Sequence, residues 1–310
     1  MTKQSEALRK LLGVRATATL FSPAMRSVRH ETRASRKGRD RRSKADTIRG
    51  AGASVQPRVA DSESDIIRPI EDIKATPAFW PVAVICVTAC VGLGINQFLG
   101  SEQAFSQFFP AEFRVFDPYL VLRLKAWWVG SILIGFVALP AIVMAVVPGT
   151  KFRDCNLSVR GFVRHFWIYV GLFGAVLPVI WFVSLTPQFY TFYPMYGLAG
   201  RSWSDLLMWE GMYIGQFVAL EFFFRGFLVG GLSKRIGILA VPVAVIPYMM
   251  LHFTKPMPEA AASVVAGLIL GYLAWKTKSI WGGVCIHCAV AVSMDLLALA
   301  HKGQLPWLRG

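Results

Sequence analysis

IGQFVALEFFFRGFLVGG, residues 214–231, is an apolar run with a carboxylate and a guanidinium in its middle. Glu221 and Arg225 are four residues apart, so a helix sets them side by side on one face. Glu210 lies 11 residues earlier. Eleven steps of about 100° return to within about 20° of the same direction, so one stripe of this helix carries Glu210, Glu221 and Arg225. A charged residue at the centre of a membrane helix costs about 2.5–3.5 kcal/mol on insertion scales. Such groups point inward, find partners and mark functional sites. The bland counterpart is a structural ion pair that fixes the rotation of the helix.

Outward from this run the chain stays apolar. It has 310 residues, 55% of them hydrophobic, which is unusual for a soluble domain. After Pro77, runs long enough to cross a bilayer recur at roughly 79–99, 126–147, 165–186, 204–232, 236–253, 259–275 and 279–300, given that a crossing takes about 20 residues and at least about 17. The pattern predicts an all-α, polytopic membrane bundle of about seven transmembrane helices over residues 77–310. Residues 1–76 hold 17 of the 33 Lys and Arg and 9 of the 18 Asp and Glu. Their stretch 26–49 has almost no aliphatic side chains, so this segment is expected to be a disordered basic tail. The net charge of +15 is thus a tail plus basic loops, not a basic face on a folded domain, and gives no indication of nucleic-acid binding. Basic clusters at 151–164, 234–235 and 276–278 fall on alternate loops. With the tail they predict a cytoplasmic N-terminus in a multi-pass protein of the bacterial cytoplasmic membrane.

The first three runs contain no Asp, Glu, Lys or Arg and read as scaffold. The last four contain Asp205, Glu210, Glu221, Arg225, His252, Glu259, His287 and Asp295, and read as a site within 204–300. A neutral imidazole takes or delivers a proton near neutral pH. Two of them, His252 and His287, beside a buried carboxylate are the parts of a water-activating site. Cys285 and Cys288 flank His287. They read as small packing residues, since no second cysteine pair completes a zinc site.

Leu220-Glu221…Arg225, Tyr248…His252 and His287…Ala291, in that order, resemble the three motifs of the CPBP superfamily of intramembrane proteases, which includes the type II CAAX prenyl endopeptidases and bacteriocin-immunity proteins. The resemblance covers roughly residues 160–300. The family pattern is Glu-Glu-x-x-x-Arg, Phe-x-x-x-His and His-x-x-x-Asn, and this chain departs from it at Leu220, Tyr248 and Ala291. The resemblance implies an endopeptidase cleaving membrane-associated or lipidated protein substrates. In it Glu221, oriented by Arg225, acts as base with His252, and His287 binds water or the oxyanion. Glu210, Tyr248 and Asp295 are the candidates to compensate for the departures. Because leucine accepts no proton and alanine donates no hydrogen bond, a second expectation is a catalytically weak membrane scaffold or immunity-type binder. A third is a zinc peptidase with Glu221, His252 and His287 as ligands, although no cofactor is favoured. A fourth is ion or proton translocation along the polar stripe. The expected partners are the lipid bilayer and a membrane-associated protein or peptide.

Overall fold

The computed structural model describes residues 79–113 and 117–306. The tail expected at 1–76 lies outside the described residues. Among those described there is no strand, only an isolated bridge between Leu157 and Ser279. Six helices are long and apolar enough to cross a membrane: α1 (Phe79–Leu99), α2 (Leu120–Val146), α3 (Phe166–Ser184), a long stretch Trp203–Met250, α6 (Met257–Thr277) and α7 (Trp281–His301). The stretch Trp203–Met250 contains both of the runs expected at 204–232 and 236–253. It breaks at Gly237, whose φ of 58° with ψ of −138° is a conformation that glycine alone adopts readily. We call its two parts α4 (Trp203–Glu221, continued as a π-helical segment Phe222–Gly230 and by Gly231–Ile236) and α5 (Ala240–Met250).

α5 has only 11 residues, a rise of about 16 Å. His252 lies in the turn that follows, residues 251–255. A straight helix from residue 236 would carry His252 well above the level of Glu221. His252 nevertheless lines one cavity with His287, and Pro247 inside α5 suits a helix whose freed carbonyls are covered by neighbours.

The core is built around the phenylalanines of the opening run. Phe223, Phe224 and Phe227 are fully buried, and Phe136 of α2 stacks on Phe223 at 4.3 Å between centroids. α1 and α2 cross at Gly92 and Gly135, so closely that a Cβ on Gly92 would lie 2.5 Å from the Gly135 carbonyl oxygen. On the far side of the π segment the loop 154–158 runs into the bundle. Asn156 donates its side-chain N–H to the Arg225 carbonyl at 2.8 Å, supplying a partner where the widened π turn loosens the backbone ladder. Gly230 makes room for it, since a Cβ there would lie 2.1 Å from the Asp154 oxygen.

The same loop ties to the α6–α7 turn through Ser158 N–H to the Lys278 carbonyl and Ile280 N–H to the Asn156 carbonyl. Lys234 pairs with Asp154 at 2.7 Å and Arg235 donates to the Gly149 carbonyl. The basic loops at 151–164, 234–235 and 276–278 therefore gather at one end of the bundle. Six apolar helices and this packing describe a multi-pass integral membrane protein.

Candidate active site

Glu221 ends the regular part of α4 and is 0% exposed. Its Oε1 is 2.7 Å from His287 Nδ1 and 3.2 Å from Arg225 Nη1. The other His287 nitrogen, Nε2, shares a hydrogen bond of 2.9 Å with the Tyr248 hydroxyl. The Tyr248 ring lies under the Arg225 guanidinium at 4.2 Å, a cation–π contact strengthened by burial. The four side chains thus close a ring that links α4, its π segment, α5 and α7. Neither the Glu221 oxygens nor the terminal Arg225 nitrogens make a well-aligned hydrogen bond, so charge proximity, not directional bonding, holds the acid. The N-terminal end of α7 adds its positive dipole, since Gly283 in that first turn sits directly against the carboxylate.

A cavity of about 140 Å³ lies beside this ring. His252 and His287 both line it, together with Leu220, Ala291, Gln216, Phe217 and Asn96. His252 Nδ1 is bonded to the Tyr248 carbonyl at 3.0 Å. A carbonyl only accepts, so Nδ1 carries the proton and Nε2 is left with its lone pair. His287 presents a ring edge, stacked on Phe217 at 5.4 Å and 3° between planes. At the rim, Lys255 pairs with Glu259 at 3.2 Å and donates to the Tyr193 hydroxyl at 2.7 Å. That hydroxyl donates to Glu259 at 2.6 Å. Burial pushes the Tyr193 phenol above its ordinary range, so it stays a donor. Glu259 is near the start of α6 and Lys276 near its end, so this rim stands at the opposite end from the basic loops.

The structure thus brings Glu221, Arg225, Tyr248, His252 and His287 together, in two layers. Helical geometry separates the neighbours Leu220 and Glu221 by about 100°. Leu220 takes the direction of the cavity, with Gln216 one turn before it, and Glu221 turns to Arg225 and His287. The carboxylate is not among the residues lining the cavity. Glu210 and Asp295 stand apart. Asp295, fully buried, accepts a hydrogen bond from Trp209 Nε1 at 2.6 Å, and both Glu210 oxygens are buried without a partner. Eleven residues of helix put Glu210 about 16 Å along the axis from Glu221. Among the described residues no three His, Cys, Asp or Glu side chains gather in a way that could hold a metal ion.

The first half of the chain reaches the site as well. Asn96 of α1 and Trp128, Ile132 and Phe136 of α2 line the same cavity, so these helices are more than the scaffold that their lack of charge suggests. The available signal was the amide pair in INQF, residues 95–98, polar side chains inside an otherwise apolar run.

Residues 202–293 match the family model "Type II CAAX prenyl endopeptidase Rce1-like". The match covers 92 of the 310 residues. It begins at the α4 cap Ser202 and ends within α7, so it contains Glu221, Arg225, Tyr248, His252 and His287 and leaves out Asn96. The match supports an intramembrane protease of the CPBP kind. No curated protein and no solved structure matches the chain.

Proposed function

We propose that the protein is an intramembrane endopeptidase that hydrolyses peptide bonds of membrane-associated or lipidated proteins, with His252 as the group that takes the proton from water. The observation that carries the proposal is that two imidazoles, one with a free Nε2, share a cavity and both belong to the stretch that matches the Rce1-like family model. Water held at His252 attacks the peptide carbonyl carbon as its proton passes to Nε2. The carbonyl π pair moves to oxygen and forms the tetrahedral oxyanion. Collapse re-forms the carbonyl, breaks the C–N bond and sends the His252 proton to the departing amine. Glu221, sealed from the cavity and gripped by Arg225, serves by holding His287 and the Tyr248 hydroxyl in register.

His252→Ala is expected to reduce turnover of a panel of membrane-anchored and C-terminally lipidated peptides by about 10²–10⁴ while leaving the melting temperature nearly unchanged. Turnover equal to the wild type in a well-folded His252→Ala protein removes His252 as base. Glu221→Gln is expected to act differently. Loss of the buried partner leaves Arg225 uncompensated, at a cost of about 3–5 kcal/mol, so stability falls together with activity.

The gathering of basic loops at one end supports a cytoplasmic location for that end, with the Lys255–Glu259 rim facing the other side. In sealed right-side-out vesicles, a cysteine introduced at Lys255 is expected to react with a membrane-impermeant maleimide. Labelling only after permeabilisation reverses the orientation.

A non-catalytic scaffold is favoured by one feature, the closed ring of Glu221, His287, Tyr248 and Arg225 beside Leu220 and Ala291. A cellular phenotype retained by a folded His252→Ala protein decides for it. The zinc form of the peptidase is decided by elemental analysis of protein purified without chelator.

A further inference from the structure

The cavity contains two carboxamides to which the proton-transfer chemistry gives no task. Gln216 is 6% exposed, and its Oε1 is buried without a hydrogen-bond partner. Asn96 comes from α1, and its Oδ1 is likewise buried and unpartnered. Gln216 is one turn before Leu220 on the cavity face of α4. Asn96 is one turn after Gly92, where α1 comes close enough to the opening run for a Cβ on Gly92 to lie 3.3 Å from the Phe223 ring. Leaving a buried acceptor unpaired costs about 1–3 kcal/mol, so two of them facing one small space are poised for a ligand that supplies donors.

A carboxamide offers two donors and an acceptor, the complement of a peptide group. Ala291, on the same cavity, stands where the family pattern has asparagine and supplies no donor. We propose that Asn96 and Gln216 bind the backbone of an extended peptide at the scissile bond. Their carbonyls receive substrate N–H groups, and their NH₂ groups donate to the scissile carbonyl oxygen in place of the donor missing at Ala291. Recognition of this kind reads the main chain and is indifferent to side-chain identity. The inference rests on the peptidase reading of the site.

The test uses the full chain in nanodiscs and a panel of quenched fluorescent peptides, some farnesylated at a C-terminal cysteine and some carrying a transmembrane segment. Asn96→Ala and Gln216→Ala are each expected to lower kcat by about 10²–10³ through the lost donor to the oxyanion, and to raise KM through the lost acceptor for substrate N–H groups. Ala291→Asn in the Asn96→Ala background is expected to recover at least about tenfold in kcat. A purely structural role for Asn96 predicts no such rescue, and melting temperatures separate misfolding from lost chemistry. Unchanged kcat in both alanine variants, with His252→Ala inactive, overturns this inference and leaves the peptidase intact. A wild type that cleaves no peptide of the panel overturns both.

Discussion

Gly283→Ala is expected to destabilise the bundle by about 3–5 kcal/mol, the cost of breaking a buried ion pair by disturbing one partner. The added Cβ would lie 2.1 Å from Glu221 Oε2 and 2.7 Å from its carboxyl carbon. The carboxylate has nowhere to retreat, because Oε1 is already 2.7 Å from His287 Nδ1 and 3.2 Å from Arg225 Nη1. Either α7 moves away from α4 or the acid leaves its two partners. In the first case His287 separates from Tyr248, and in the second Arg225 is buried without a counter-charge. One methyl group is therefore enough to open the ring. Gly215→Ala is the matched control, since no heavy atom lies within 4 Å of a Cβ there. It is expected to be neutral or to stabilise by up to about 1 kcal/mol through helix propensity. Thermal melts of the two variants in one detergent decide the matter. A Gly283→Ala protein within about 0.5 kcal/mol of the wild type, the range of an ordinary surface change, contradicts the placement of Glu221 against α7.

Why this ring could be anticipated, and the cavity could not, follows from what each depends on. The pairing of Glu221 with Arg225 needs only one helical turn, and the gathering of Tyr248, His252 and His287 follows from their order and from the family's spacing. The helical membrane architecture was equally legible, because runs such as FWIYVGLFGAVLPVIWFVS at 166–184 leave the backbone no alternative in lipid. The rotation of α4 was not legible. A stripe drawn through Glu210, Glu221 and Arg225 gives a direction around the helix and not a level along it: Glu210 lies in the same regular helix as Glu221 but about 16 Å away along the axis, near Asp295. Whether Leu220 or Glu221 faces the cavity is set by how Phe223 and Phe224 lock against α2 and α5, a tertiary contact with no local signature. The shortness of α5 depends likewise on where Gly237 turns the chain. Asn96 gives no such signal because an amide carries no charge, and charge is what distinguishes the last four runs from the first three.

Leu220→Glu is the prediction that separates a weakened catalyst from a scaffold. Leu220 lines the cavity with both histidines, at the position where the family pattern has a glutamate. A carboxylate introduced here faces the space where water and substrate meet, unlike Glu221. If the protein is a peptidase whose only base is an imidazole, a second base of this kind is expected to raise kcat/KM on the membrane-peptide panel by about 10²-fold or more. Leu220→Gln has the same length without a proton-accepting oxygen anion and is expected to leave the rate at or below that of the wild type. Both variants put a polar group at a site 5% exposed, so each should lose stability, but to a similar extent, and the rate difference between them isolates the base. Equal rates for Glu and Gln place the reacting water away from this wall of the cavity. A rate below detection in both, with folding preserved, means that Leu220 is not what limits turnover and that the ring around Glu221 has been kept for architecture.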